Sequence, residues 1–259
     1  MSNKLLVSLE NGIKRLTFNH PTRRNSLDSE MIKALTEAIK QSADDETRVV
    51  IITGAGDAFC AGADLQAIGP TGEDRDVTTL LREGVNPGIS AMRALPKPII
   101  ARVHGHAAGV GCNYALASDL VIASDQAFFG QVFVKIGLMP DGGGTYFLPR
   151  LVGYHRAFEL MASGDPISAQ SAFEMGMINR VVPFAELDST VNAMAERLAA
   201  GPQVALAKIK AGLNQGLNSE LEEALEFEAV NQGDCFRSAD FKEGVAAFLQ
   251  KRKAVFTGR

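Results

Sequence analysis

Three short apolar runs, 49–53, 98–103 and 120–123, are rich in Val and Ile and are separated by stretches too long for hairpins. They constrain the fold more than any other feature of the chain. Runs without polar alternation read as strands buried on both faces, and such strands pair in parallel through crossover connections. The intervening segments supply the crossovers. Over 26–40, apolar residues recur at Leu27, Met31, Leu35 and Ile39, a helical stripe with Ser26 or Asp28 placed to cap it. A polar helix over 76–93 and a small-residue helix over 109–118 follow. The front of the chain, 5–9 and 13–18, reads as a hairpin turning at Asn11-Gly12. The expected fold class is α/β with largely buried strands.

From about Tyr154 the texture changes to helices, over 155–162, 168–174, 186–200, 203–216, 220–232 and 239–255, with 181–183 as a short extended link. No low-complexity linker precedes this helical appendage. With 259 residues, 46% of them apolar, the chain can bury a sizeable core. A net charge of −4 gives no electrostatic footprint for nucleic acid or an anionic membrane. No run reaches the ~20 apolar residues of a membrane span, and the opening 1–7 lacks the apolar core of a signal peptide. Cys60, Cys112 and Cys235 are odd in number and widely spaced, which fits reduced thiols and a cytoplasmic location. The four histidines lack paired Cys or His spacing, so no zinc site is expected.

The stretch Gly137-Leu138-Met139-Pro140-Asp141-Gly142-Gly143-Gly144-Thr145 sets one carboxylate between a proline and three glycines. Pro-Asp-Gly alone is a common turn in which the aspartate bonds its own backbone. A turn needs one residue at positive φ, whereas three successive glycines cost backbone entropy that close approach of a ligand explains. Two further loops, Phe59-Cys60-Ala61-Gly62-Ala63-Asp64-Leu65 and His106-Ala107-Ala108-Gly109-Val110-Gly111-Cys112-Asn113, each follow a strand and carry small residues that leave backbone N–H groups uncovered. The second opens a helix, whose first N–H groups have no internal partner. The two loops either pack a helix closely on a strand or hold one developing oxyanion between them, at about 3 kcal/mol per donor in acyl chemistry.

These segments, with Pro96-Lys97-Pro98-Ile99-Ile100-Ala101, Ala127-Phe128-Phe129-Gly130-Gln131, Leu148-Pro149-Arg150-Leu151-Val152-Gly153, Gly164-Asp165-Pro166-Ile167-Ser168-Ala169 and the terminal Phe248-Leu249-Gln250-Lys251-Arg252-Lys253, resemble the enoyl-CoA hydratase/isomerase (crotonase) superfamily nearly end to end. The resemblance implies a crotonase-type spiral of repeated strand-strand-helix turns over 1–195, holding an acyl-CoA site. It implies a helical C-terminal region over 196–259 that serves trimerisation and covers the pocket, in a homotrimer or a dimer of trimers. It implies no cofactor beyond the coenzyme A of the substrate. By the same resemblance the backbone N–H groups of Ala63 and Val110 form the oxyanion hole; Val110 stands where glycine is usual, and its branched side chain narrows the space beside it.

Hydratases of the family carry two glutamates that hold and deliver water; the matching positions here are Asn113 and Phe133, which argues against efficient hydration. Asp141 falls where dienoyl-CoA isomerases and the ring-epoxide isomerases of phenylacetate catabolism carry their functional aspartate, and where aroyl-CoA dehalogenases carry a nucleophile. The surrounding segments look most like the phenylacetate-pathway isomerases. The resemblance therefore points to an isomerase with Asp141 as sole acid/base, its proton affinity raised by an apolar wall of Val132, Phe133 and Met139. A hydratase with other groups in place of the glutamates and a non-catalytic acyl-CoA binder stand as alternatives. Ala61, Asp64, Leu65, Asn113, Phe133, Arg24 and Lys251 are the expected substrate-binding residues. Asp64 also suits a cap for a helix at Leu65, Asn113 an inward structural amide, and Lys251, Arg252 and Lys253 a solvated helix end. Phe59, Val85, Ile89, Phe133 and Tyr146 are candidates to line the acyl pocket. Cys112 reads as a buried packing thiol before a nucleophile.

Overall fold

The computed structural model describes residues 4–68 and 76–259; residues 1–3 of the opening stretch lie outside the described residues. The strands are β1 (Leu5–Glu10), β2 (Ile13–Phe18), β3 (Val49–Gly54), β4 (Ile99–Val103), β5 (His106–Ala108), β6 (Leu120–Ser124), β7 (Phe128–Gly130), β8 (Ile167–Ser168) and β9 (Arg180–Val182). The helices through the core are α1 (Ser29–Gln41), α2 (Leu65–Ile68), α3 (Val77–Leu80), α4 (Asn86–Ala94), α5 (Val110–Leu116), α6 (Gly144–Val152), α7 (Tyr154–Ser163), α8 (Ala169–Glu174) and α9 (Phe184–Ala199). Then come α10 (Gln203–Gly216), α11 (Leu221–Arg237) and α12 (Ala239–Leu249).

Local chemistry explains the first elements. Asn11 and Gly12 both have positive φ, 52° and 76°, as the tight turn between β1 and β2 requires. Asp28 caps α1 by accepting from Met31 N–H at 2.9 Å, and Met31, Leu35 and Ile39 are fully buried beneath it. The helix expected over 76–93 is instead broken into α3, a π-turn at Leu81–Val85, and α4. Pro87 has no N–H to give to Glu83, and the ladder slips: Asn86 N–H donates to Leu81 O, five residues back.

The main sheet runs β1-β2-β3-β4-β6-β9, antiparallel only at its first pair. The segment expected as an extended link at 181–183 is corrected: Arg180–Val182 is a sixth strand, pairing in parallel with β6 in the register Ile122↔Arg180 and Ser124↔Val182. It is too short to show a period, and Pro183 ends it. A second sheet, β5-β7-β8, lies where no strand was expected, and Ser168, expected in a helix, ends β8 and caps α8. Cys60, just past β3, bridges Ala107 of β5 in parallel. Each of β3, β4 and β6 is thus followed by a short extended piece in the second layer and then by a helical crossover. These are the strand-strand-helix turns of a spiral.

The two faces of the main sheet bury different partners. Leu16, Phe18, Val50, Ile52, Ile99 and Ala101 face the core shared with α1, α4 and α5. Val49, Ile51, Ile100 and Ile122 face α9, which meets them with Leu187, Val191, Ala195 and Ala199, a stripe repeating every four residues. Each Leu or Val so buried stabilises the fold by about 1.5–3 kcal/mol. Since Ala199 belongs to this stripe, the expected division between 195 and 196 falls inside one core-packed helix.

The C-terminal helices contrast with this. α11 buries no residue, and an apolar cavity of about 1190 Å³ opens among α10, α11 and α12, lined by residues including Ile209, Leu213, Phe227, Phe241 and Phe248. α12 stops at Leu249 rather than continuing to 255, because Lys251 turns left-handed at φ 52°. The tail then folds back along α12: Val255 N–H donates to Glu243 at 2.9 Å and Gly258 N–H to Asp240 at 2.9 Å. Among the described residues no helix is long and apolar enough to cross a membrane.

Candidate active site

The loop after β3 is held on two sides. On one, Cys60 N–H donates to His106 O at 3.0 Å and Ala108 N–H to Cys60 O at 2.9 Å. On the other, Leu27 N–H donates to Gly62 O at 2.7 Å and Asp64 N–H to Leu27 O at 2.9 Å. In such a parallel bridge the flanking residues make the bonds, which turns the N–H of Ala63 itself away from Leu27. Ala63 is exposed, and its N–H has no acceptor among the described residues. Gly62, at φ 98°, allows the close approach: a Cβ there would lie 2.9 Å from Ala108 O and 3.7 Å from Gly109 Cα.

Across that contact α5 begins. Gly109, at φ 54°, spends its own N–H on Gly130 O at 2.8 Å and starts the helix at Val110. Val110 N–H is the first of the helix and has no acceptor among the described residues. Two open N–H groups, one reinforced by a helix N-terminus, therefore lie on adjoining loops and can serve one anionic oxygen. The Val110 side chain turns elsewhere. Its Cγ2 lies 3.0 Å from where a Cβ on Gly142 would sit, so it packs under the Asp141 loop.

Asp141 sits just ahead of α6. Its Oδ1 is buried and accepts no hydrogen bond, and no cation pairs with the carboxylate among the described residues. Burial alone pushes its pKa up to about 6. The group is an ionised base at neutral pH that binds a proton far more readily than an ordinary carboxylate. Val132 and Phe133, in the turn Val132–Ile136, reach toward Gly109, with Val132 Cγ2 at 3.8 Å and Phe133 Cζ at 3.7 Å from its Cβ position. Met139, the third residue expected in an apolar wall beside Asp141, is 72% exposed in the single chain.

Several expected contacts fall otherwise. Asn113 is fully buried, and both ends of its amide are engaged within the protein: Nδ2 donates to Asp141 O at 2.7 Å and Oδ1 accepts from Gln131 Nε2 at 2.7 Å. It acts as an inward structural amide rather than as a substrate contact. Asp64 accepts from Arg23 at 2.9 and 2.8 Å and caps α2 through Gln66 N–H at 3.1 Å, so its carboxylate is turned into the fold. Ala61 gives its N–H to Arg24 O at 2.9 Å. Phe59 is fully buried edge-on against Phe18, with ring centroids 5.6 Å apart, and belongs to the core rather than to an acyl pocket. Val85 and Ile89 are buried, with Val85 Cγ1 3.4 Å from the Cβ position of Gly142. Tyr146 is partly buried, and its hydroxyl accepts from Asn218 Nδ2 at 2.8 Å.

Leu65, Arg24 and Lys251 are exposed, and Arg252 is held bidentately by Glu243 at 2.6 and 2.8 Å. Cys112 is buried and its thiol pushed up to about 12, which removes it as a nucleophile. No role is expected for Gln131 from the sequence, and nothing local flags it: its partner lies two strands back, in α5.

A family model for enoyl-CoA hydratase/isomerase matches residues 8–259. The chain is 42% identical to 1,2-epoxyphenylacetyl-CoA isomerase of Escherichia coli, covering 100% of both chains. It is also 42% identical to a probable enoyl-CoA hydratase of Rhodobacter capsulatus, over 97% of this chain and 96% of that one. The crystal structure of enoyl-CoA hydratase from Bacillus anthracis superposes with a TM-score of 0.94 at 32% identity, covering 99% of this chain and 100% of the other. With likeness of this extent in sequence and in fold, the chain belongs to the enoyl-CoA hydratase/isomerase, or crotonase, family of acyl-CoA enzymes.

Proposed function

We propose that the protein is an acyl-CoA isomerase that moves a carbon-carbon double bond, or rearranges a ring epoxide, in conjugation with a CoA thioester. The observation that carries this reading is a single bare carboxylate, Asp141, with an amide at Asn113 and a phenyl ring at Phe133 where a second acid would be needed to deliver water. Isomerisation needs only one such group. With a 3-enoyl thioester, Asp141 takes a proton from C2 while the electron pair moves onto the thioester oxygen, held by the N–H groups of Ala63 and Val110. The dienolate then collapses, and Asp141, whose carboxyl proton exchanges with solvent in the interval, protonates C4. The epoxide form of the reading draws on the E. coli relative, which is named for a ring-epoxide thioester.

Hydration is the second reading, because the R. capsulatus relative named a probable hydratase is equally similar. A silent acyl-CoA binder is the third. The unburied face of α11 and the cavity beside it support a homotrimer or a dimer of trimers built on the helical C-terminal region. Arg24, Lys251 and Lys253 are exposed cations suited to the phosphates of coenzyme A. A cytoplasmic setting completes the reading and suits three free thiols.

The test is mass spectrometry of products formed in deuterated water from a 3-enoyl-CoA by the wild type and by Asp141→Asn. Deuterium gained in a product of unchanged composition, and lost in Asp141→Asn while the thioester still binds, is the expected result. Addition of a whole water would replace the isomerase with a hydratase, and binding without turnover across many thioesters would favour the silent binder.

A further inference from the structure

The loop that carries Asp141 is gripped from behind. Asn113 lies one helical turn beyond Val110 on α5, and its Nδ2 donates to the main-chain carbonyl of Asp141 at 2.7 Å. An amide can flip and present its oxygen instead, which would set two acceptors against each other. Gln131 prevents that, because its Nε2 donates to Asn113 Oδ1 at 2.7 Å and fixes which end faces the loop. The pair is sealed from water, with Asn113 0% and Gln131 2% exposed, and Gln131 Oε1 is left buried without a partner. The amide rests against bare backbone: a Cβ on Gly144 would come within 2.7 Å of Asn113 Nδ2.

We propose that Asn113 and Gln131 are positioning residues, a buried amide pair that holds Asp141 by its main chain and so keeps its carboxylate in place without bonding it. This rests on the reading of Asp141 as the acid/base. The advantage is chemical. A donor bonded to the carboxylate would hold it equally well but would favour the ionised form and weaken the base. Gripping the carbonyl sets the position and leaves the proton affinity to burial.

The charged and titratable groups on the elements packed against the loop do not offset this. On α5, Tyr114 is a buried phenol whose own ionisation is pushed up by burial. On the π-turn, Arg82 and Glu83 are exposed. On the turn Val132–Ile136, Lys135 pairs with Asp165 at 3.0 Å. On α6, Arg150 is exposed and lies over the Tyr146 ring, 3.7 Å from its centroid. The first turn of α5 thereby has two tasks: its leading N–H faces the oxyanion site, and its side chains at 110 and 113 support the base.

The experiment uses full-length Gln131→Met, which removes the donor to Asn113 at nearly constant volume, and Asn113→Leu, which removes the donor to the loop at nearly constant volume without adding a charge beside Asp141. Two quantities are read: the titration of the Asp141 carboxyl by carbon-13 NMR of aspartate-labelled protein, assigned with Asp141→Asn, and kcat and KM for a 3-enoyl-CoA. The Asp141 midpoint, about 6 in the wild type, is expected to fall toward the ordinary carboxylate range in both variants as the loop relaxes toward water. Turnover is expected to drop ~10–100-fold with KM changed less than about threefold. Folded variants with a wild-type titration, or with a lowered melting temperature and unchanged kcat, would overturn the proposal. Full activity in Asp141→Asn would instead overturn the acid/base reading, and the NMR shift would still report whether the amide pair positions the carboxylate.

Discussion

At the start of α12, Asp240 is 3% exposed, and its carboxylate accepts from Thr257 N–H at 2.7 Å, from Gly258 N–H at 2.9 Å and from the Thr257 hydroxyl at 3.3 Å. Just before α6, Asp141 has a buried oxygen that accepts nothing. Both are aspartates beside helix N-termini, yet one region spends its carboxylate on fastening the chain and the other withholds every donor. The saturated group contributes stability and has little left for a ligand. The bare group contributes none, and its folded environment opposes ionisation, which is what makes it a usable base.

That contrast can be broken or sharpened in order of expected effect. Val110→Pro removes the N–H that would receive charge as Asp141 withdraws a proton, at the one helical position where proline is tolerated. The expected loss is ~10²–10³-fold in kcat with the helical circular dichroism retained, whereas Val110→Ala stays within a few-fold. Asp240→Ala frees the tail from α12 and is expected to cost about 2 kcal/mol in chemical denaturation. Asp141→Asn should do the opposite. Its folded pKa of about 6 lies above the unfolded value, so the native state binds the proton more tightly, and stability is lost as pH rises from about 4 through 6. The amide escapes that cost, and the variant is expected to be ~1–2 kcal/mol more stable than the wild type at pH 8, with the difference vanishing below about pH 4. The wild type should lose kcat/KM on acidification with a midpoint near 6, as the base takes up its proton. Smallest of all, alkylating reagents that spare the fold should leave activity unchanged, because Cys60 and Cys112 are both buried with thiols pushed up to about 12.

Features governed by neighbours in sequence were legible in it. Asn11-Gly12 specifies its turn, and Leu27, Met31, Leu35 and Ile39 specify the buried face of α1. The glycine-rich loops singled out Asp141 and two segments with uncovered N–H groups, while Ala63 and Val110 within those segments came from the family resemblance. What escaped depends on distant partners. β9 exists because β6 offers it an edge. α6 starts inside a glycine run and contains Pro149, so no helix was expected there. Phe59 stood among the candidates for the acyl pocket, but it is buried edge-on against Phe18. Asn113 and Gln131 meet only once β7 lies beside β5, which no local period announces.

The pinning of the Ala63 loop has a kinetic consequence. Ala63 is aimed by Leu27, Cys60 is held by β5, and Gly109 is held by Gly130 of β7, so each part of the proposed oxyanion site is set by a different turn of the spiral. No single turn contains a working half-site. A chain emerging during synthesis passes through intermediates that have strands and helices but cannot polarise a thioester, and on refolding from denaturant the return of activity should trail the return of helical signal, because pairings far apart in sequence close last.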